Sequence, residues 1–264
     1  MRVAVITGAA SGIGAGLARE AAKRGMHVVL ADCNEASLAA VAAEIGENAL
    51  AAPTDVSDPA SVDALADLAW ERFGQVDMLF NNAGVLFTGL SWELPPETWR
   101  KTLDVNILGV ANGQRSFVPR MVADNRAGRI VNIASIGGFL PSPLMTPYIA
   151  SKFAIVAMTE GLLTELEMVG AKLSVSLVAP AGVKTEIFKE EPTAASQAFR
   201  DQLTAMTAQH GISADELARR IFDAIDRDEY WIFPQPDDFD APFKARTKMI
   251  EQRDKPISPS SRAD

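Results

Sequence analysis

The sequence predicts an α/β fold, a parallel sheet doubly wound by helices on both faces, in a single domain. Three observations carry that prediction. Short β-branched apolar runs alternate with helical patterns along the 264 residues, and a glycine-rich turn follows the first run. Polar residues fit for chemistry then recur just after the apolar runs. The length allows one sizeable core, and no composition shift divides the chain.

Residues 2–7, Arg-Val-Ala-Val-Ile-Thr, read as a strand buried on both faces. Gly8, Gly12 and Gly14 then open a helix whose apolar positions are Leu17, Ala18, Ala21 and Ala22, ending at Gly25. Glycines at such a turn let the backbone approach a pyrophosphate, whose charge the helix N-terminal amides meet; an ordinary tight turn uses the same residues. No Lys-Ser/Thr pair follows, which excludes a nucleoside-triphosphate P-loop. Residues 26–31 form a second strand closed by Asp32. That acid lies near the roughly twenty-residue distance at which a carboxylate accepts hydrogen bonds from an adenosine ribose. It is equally an ordinary turn or cap residue.

A helix over 35–45 and a strand over 49–53 come next, and Ser57-Asp58-Pro59 opens a helix to Phe73. A strand over 76–80 runs into Asn81, residues 97–125 are mostly helical, and 129–134 form a further buried strand. Thr146 as cap and Pro147 in the first turn open a helix to about Val169, with Gly170 as its stop. A strand over 173–179, a helix over 214–225 and a last strand over 230–233 complete the alternation. Gly8, Asp32, Asp55, Asn81, Ser135 and Val183 all follow strand ends, where open α/β sheets bind ligands.

A formal charge of −9 without a Lys/Arg cluster argues against a nucleic-acid partner. Cys33 is the single cysteine, so no intrachain disulfide can form, and His27 and His210 lie too far apart in sequence to suggest a zinc site. No metal is expected. Arg2 before apolar and then small residues mimics a signal peptide, but that run is too short and breaks at a glycine turn. No stretch approaches the roughly 18 apolar residues of a membrane helix. A soluble cytoplasmic protein without a membrane partner is the expectation.

The chemistry centres on Tyr148 and Lys152, four residues apart on one helix face and roughly 6 Å apart along its axis. A nearby ammonium favours a phenolate, so the pair suits proton transfer nearer neutral pH than free tyrosine allows. A packed ring beside a solvated charge is the ordinary alternative. Ser135, in Asn132-Ile133-Ala134-Ser135, lacks the G-x-S-x-G elbow and a well-placed histidine, so a nucleophilic serine is disfavoured. Its hydroxyl can still donate to an oxygen gaining negative charge, or it caps the strand end. Asn106, inside Leu103-Asp104-Val105-Asn106-Ile107-Leu108, is either functional or a buried polar group satisfied by backbone.

Thr7-Gly8-x-x-x-Gly12-Ile13-Gly14, Asp55-Val56, Asn81-Asn82-Ala83-Gly84, Asn106, Ser135 and Tyr148-x-x-x-Lys152 together resemble the short-chain dehydrogenase/reductase family, from residue 2 to about 185. The resemblance implies a Rossmann-like fold and an alcohol dehydrogenase or ketone reductase. It implies that Ser135 and Tyr148 hydrogen-bond the substrate oxygen, and that Lys152 binds the nicotinamide ribose and lowers the tyrosine's pKa. Asn106 would hold a water that links the lysine to solvent. On the same basis Gly8, Ser11, Gly12, Ile13, Gly14, Asp32, Asp55, Val56 and Asn81 contact the cofactor, with Val183 and Thr185 at the nicotinamide. Asn82-Ala83-Gly84 would help hold the central sheet.

The family pattern Pro-Gly-x-Val-x-Thr is altered here to Pro180-Ala181-Gly182-Val183-Lys184-Thr185, which is tolerable if Ala181 has negative φ and costly if it does not. Asp32, with Cys33, Asn34 and Ser11 offering no positive charge for a 2′-phosphate, points to NAD. An NADP-preferring carbonyl reductase and a non-catalytic dinucleotide-binding scaffold are the alternatives. Leu86, Phe87, Leu90, Trp92, Phe139, Leu140, Leu144 and Met145, with Ile187, Phe188, Phe199, Leu203 and Met206 of a lid over about 185–212, suit an apolar alcohol or ketone. Many of them could equally belong to the core or a subunit interface. Relatives imply a homodimer or homotetramer through the helices containing Asn106 and Tyr148. The domain is expected over 1–234. A tail over 235–264 carries Phe239, Phe243, Met249 and Ile250, and docks on a neighbour, covers the pocket or stays mobile.

Overall fold

The apolar runs become seven parallel strands in the order β3-β2-β1-β4-β5-β6-β9, in a computed structural model that describes residues 1–256. In chain order the elements begin β1 (Val3–Thr7), α1 (Gly12–Lys23), β2 (His27–Asp32), α2 (Glu35–Ile45), β3 (Ala49–Pro53), α3 (Pro59–Phe73) and β4 (Met78–Asn81). There follow α4 (Pro96–Leu103), α5 (Gly109–Ala123), β5 (Gly128–Ile133), α6 (Thr146–Met168) and β6 (Leu173–Val178). The chain continues through β7 (Val183–Lys184), α7 (Gln197–His210), β8 (Ile212–Ser213), α8 (Ala214–Asp226), β9 (Trp231–Ile232) and α9 (Pro236–Glu251). This is a Rossmann-like α/β fold. Winding reverses between β1 and β4, so the crevice for a ligand lies beyond their carboxyl ends. No described helix is long and apolar enough to cross a membrane.

The central strands are largely apolar at consecutive positions because each face packs a different helix layer. Ala4, Ile6, Val28, Leu30 and Phe80 join Leu17, Leu217, Ile221 and Phe222 on one face. Val3, Val5, Val29, Leu79 and Ile130 join Val62, Leu65, Phe117 and Leu162 on the other. The two sets alternate residue by residue, as the pleat requires. Each fully buried large side chain contributes about 1.5–3 kcal/mol, so the two layers together hold the strand ends in register.

Several local expectations change. Residues 97–125 are helical but not uniformly so: a π-helical turn, Asp104–Leu108, separates α4 from α5 and carries Asn106. Thr146 does not cap α6. It is the first helical residue, and Met145 takes the cap position without a side-chain bond. The cause lies upstream, where Leu144 turns the chain through φ 62°, its carbonyl accepting from Gly89 N–H at 2.8 Å. Residues 236–251, within the expected tail, form α9, and Phe239 is buried against Phe233, ring centroids 4.0 Å apart. The rest of the expected tail, residues 257–264, lies outside the described residues.

Close approach at the first turn leads to a stability prediction. A Cβ on Gly14 would lie 2.0 Å from the Gly8 carbonyl oxygen, so Gly14→Ala should lower unfolding free energy by about 2 kcal/mol or more in urea titration. Gly161, exposed inside α6, has nothing within 4 Å of such a Cβ. Gly161→Ala should raise stability by roughly 0.5–1 kcal/mol in the same measurement.

Candidate active site

The crevice is built first by backbone. Gly8 follows β1 with φ 67°, and a Cβ there would meet Ala83 Cα at 2.8 Å. Asn82, just past β4, crosses the gap: its Nδ2 donates to Thr7 O at 2.8 Å, and its backbone N–H donates to Thr7 Oγ1 at 3.0 Å. Asn82 thus fastens the two strand ends that frame the crevice, which agrees with a role in holding the central sheet. Gly12, Ile13 and Gly14 start α1, and exposed Ser11 precedes them with no side-chain capping bond and no acid in the first turn. That turn combines uncommitted helix amides, a free hydroxyl and no carboxylate, so the residues present fit a phosphate.

Asp32 lies at the end of β2 and ties the turn to it. One carboxylate oxygen accepts from Ala10 N–H at 3.1 Å and the other from Asn34 N–H at 2.9 Å. Both oxygens retain acceptor capacity for ribose hydroxyls. Asp55 is exposed and folds back on Ser57, accepting from its N–H at 2.9 Å and its hydroxyl at 2.7 Å. Val56 is buried beside it, with its carbonyl accepting from Asn112 Nδ2 at 2.9 Å. Asn81, expected against the cofactor, has its side chain engaged within the sheet. Its Nδ2 donates to Asn132 Oδ1 at 2.8 Å, and Asn132 in turn donates to Thr159 Oγ1 at 3.0 Å. Phe80 faces the α1 and α8 layer, so pleating turns the next side chain toward α5, where its Oδ1 lies against Gly113.

The reacting groups come from β5 and α6. Ser135 is half-buried; its Oγ accepts from Gly137 N–H at 3.0 Å and donates to Pro180 O at 3.4 Å. Lys152 is buried, with Nζ donating to Ile133 O at 2.9 Å and standing 5.5 Å from the centre of the Tyr148 ring. Burial without a carboxylate partner pushes the lysine pKa down to about 8. Burial raises the Tyr148 pKa, and the Ser135 hydroxyl opposes that rise.

Asn106 is fully buried, and its side chain is committed. Oδ1 accepts from Val85 N–H at 2.8 Å, while Nδ2 donates to Val85 O at 3.0 Å and to Ser151 Oγ at 2.9 Å. The side chain is therefore a buried group satisfied largely by backbone and has no amide proton left for a water. Gly84 lies beside both it and the lysine: a Cβ there would meet Asn106 Oδ1 at 3.4 Å and Lys152 Nζ at 3.7 Å. Ser151, missed by sequence reasoning, continues the link by donating to Tyr148 O at 2.6 Å. A polar residue beside the lysine inside an apolar helix was its only sequence signal.

Across the crevice, Val183 is buried in β7 and Thr185 approaches the glycine turn, its Cγ2 at 3.1 Å from a Cβ placed on Gly12. Ala181 is absent from the described residues with positive φ, so the alanine fits its loop. The 185–212 segment is pinned to the loop after β4, with buried Ser196 donating to Thr88 Oγ1 at 3.0 Å. Leu86 is buried near that loop, whereas Trp92 is 78% exposed. Phe139 turns from the crevice into a cluster with Trp231, Phe233, Phe239 and Phe243, since four other rings offer it more contact than an open site.

A glycine turn after the first strand of a doubly wound parallel sheet is the architecture of a dinucleotide-binding class. A family model described as short chain dehydrogenase matches residues 2–196, and this chain belongs to that family of dinucleotide-binding oxidoreductases. A crystal structure of a short chain dehydrogenase/reductase from Burkholderia phymatum in complex with NAD is similar, with 38% identity and a TM-score of 0.94. The match covers 98% of this chain and 97% of that one. The 1-deoxy-11-beta-hydroxypentalenate dehydrogenase of Streptomyces avermitilis is 35% identical over 94% of this chain and 87% of its own length. The CLA biosynthesis dehydrogenase/reductase of Lactiplantibacillus plantarum is 31% identical, covering 89% and 88%.

The buried lysine sets a stability prediction. Its folded pKa of about 8 lies below the ordinary 10.5, so between those values the unfolded chain holds the proton that the folded chain has released. Stability contributed at this site therefore rises with pH across that window; the cost is full below about 8 and gone above 10.5. Lys152→Met should stabilise the protein at pH 7 by on the order of 1–3 kcal/mol, after the orphaned Ile133 carbonyl is counted. Denaturant titrations should show that gap closing toward pH 10.5, and a gap independent of pH would contradict the assignment.

Proposed function

We infer that the protein is an NAD-dependent oxidoreductase that interconverts an apolar secondary alcohol and the corresponding ketone, with Tyr148 as general acid and base. The observation that carries this reading is that the Ser135 hydroxyl and the Lys152 ammonium, 5.5 Å from the ring centre, both neighbour Tyr148, in a chain whose first turn suits a dinucleotide phosphate. Bound NAD supplies the hydride acceptor for oxidation, and NADH the donor for reduction. Gly8, Ser11, Gly12, Ile13 and Gly14 hold the pyrophosphate, Asp32 the adenosine ribose, and Asp55 and Val56 the adenine. Asn81 contributes through its backbone, since its side chain is committed to Asn132. Val183 and Thr185 meet the nicotinamide, and Lys152 its ribose.

In oxidation Tyr148 Oη takes the alcohol proton, and in reduction it returns that proton to the same oxygen. Ser135 exchanges its long bond to Pro180 O for one to the substrate oxygen, which it steadies while charge develops there. Asn106 and Ser151 hold the helix turn that carries the tyrosine, so the proposed water relay runs past their backbone rather than through the asparagine amide. Asp32 supports NAD over NADP because a carboxylate repels a 2′-phosphate. The NAD complex of the Burkholderia phymatum relative points the same way. Buried Leu86 and half-buried Phe87, Phe188 and Phe199 support an apolar substrate. Assembly as a homodimer or homotetramer belongs to the same reading, and Leu108, 49% exposed beside the π turn, suits a helix-to-helix contact.

Tyr148→Phe should cut turnover of apolar secondary alcohols, followed by reduced-nicotinamide absorbance, by at least about 10²-fold. NADH affinity should stay within a small factor, and full activity would refute the assignment.

Calorimetry should show NADH binding ahead of NADPH, with Asp32→Ala narrowing the difference. Tighter binding of NADPH to the unmodified protein would contradict the NAD reading.

A further inference from the structure

Gln235 stands at the junction between β9 and α9, with no role in the proton transfer described above. It occupies the cap position of α9, yet its side chain makes no capping bond. Instead the amide is 7% exposed and turned into the protein. Its Oε1 accepts from Ala181 N–H at 3.1 Å, and its Nε2 donates to Gly182 O at 2.9 Å. One planar amide thus grips two consecutive residues of the loop that leads from β6 into Val183 and Thr185.

The loop is held from the opposite side by the turn after β5. Ile136 N–H donates to Pro180 O at 3.0 Å, and Ser135 Oγ donates to the same carbonyl at 3.4 Å. A short path therefore joins Gln235 to Ala181, Pro180 and Ser135. Gln235 is itself anchored on both sides. Arg220 Nη1 donates to Pro234 O at 2.7 Å, and Phe239, one turn into α9, stacks on Phe233 and meets Phe139 edge-on at 5.3 Å. Phe139 lies four residues after Ser135, so the C-terminal segment braces the loops on both sides of the proposed nicotinamide position.

We propose that Gln235 is a positioning residue for the nicotinamide half of the cofactor, fixing Ala181 and Gly182 so that Val183 and Thr185 present to the carboxamide. The proposal rests on the dinucleotide reading above. Removing the amide leaves the half-buried Ala181 N–H short of a partner and Gly182 O with only the Ile212 N–H at 3.2 Å, and the loop regains conformations that the bound ring must then select against. On that reading the adenosine half would be held across the switch point by Asp32 and Asp55, away from this loop.

That division makes the proposal testable in the full chain. The wild type, Gln235→Ala and Gln235→Glu would be titrated calorimetrically with NADH and with ADP-ribose, which lacks the nicotinamide. Gln235→Ala should weaken NADH about ten-fold while ADP-ribose changes less than about two-fold. Gln235→Glu keeps the acceptor for Ala181 and loses the donor to Gly182, so a smaller NADH loss of about three-fold is expected, and this variant decides the matter if the alanine form does not fold. Equal losses for both ligands, or no loss for either, would overturn the positioning role, because a purely structural amide would lower the melting temperature without separating the two. Failure of the wild type to bind either ligand would instead overturn the dinucleotide reading on which the role rests.

Discussion

The site depends on how closely the chain leaving β1 approaches the chain leaving β4. Asn82 bridges that gap by donating to Thr7 O, while Thr7 Oγ1 takes the N–H groups of Asn82 and Ala83. The approach is possible because Gly8 and Gly14 carry no Cβ; even a methyl group at Gly14 would overlap the Gly8 carbonyl. With these ends fastened, α1 points its N-terminal amides at the crevice and Asp32 can reach back to Ala10. The tyrosine and lysine on α6 gain their relation to a ligand only after this frame exists.

The electrostatics of the site follow from burial more than from pairing. Lys152 is an ammonium with no carboxylate neighbour, held by a carbonyl, and its proton is correspondingly easy to lose. Tyr148 is penalised in its charged form by the same desolvation. Both groups therefore lean toward neutrality in the free protein. A ligand that brings positive charge would favour the phenolate, and one that lacks it would leave the phenol protonated. A site of this kind couples its protonation state to the charge of what it has bound.

The sheet was legible in sequence because strands buried on both faces are apolar at consecutive positions, as in β1, β2 and β4. The glycine turn, Asp32, Ser135, Tyr148 and Lys152 were legible because each follows a strand end or shares one helix face. What escaped detection depends on contacts distant in sequence. The orientation of Asn81 is settled by Asn132 and Gly113, and the inward turn of Phe139 by four rings of the C-terminal segment. The π turn at Asp104–Leu108 carries no glycine or proline to announce it. Helix α9 was hidden by Pro242 and its many charges, and its one buried residue, Phe239, acquires meaning only against Phe233.

The two outer strands bear on how such molecules meet one another. β9 contributes only Trp231 and Ile232 to the ladder before Pro234, and β3 finishes at exposed Pro53, whose nitrogen cannot donate. A long flat rim with unpaired amides would template a neighbouring chain and seed aggregates. These rims are too short or too interrupted for that. Any contact between copies would thereby fall to side chains, where it can be specific and reversible and need not propagate from one sheet into the next.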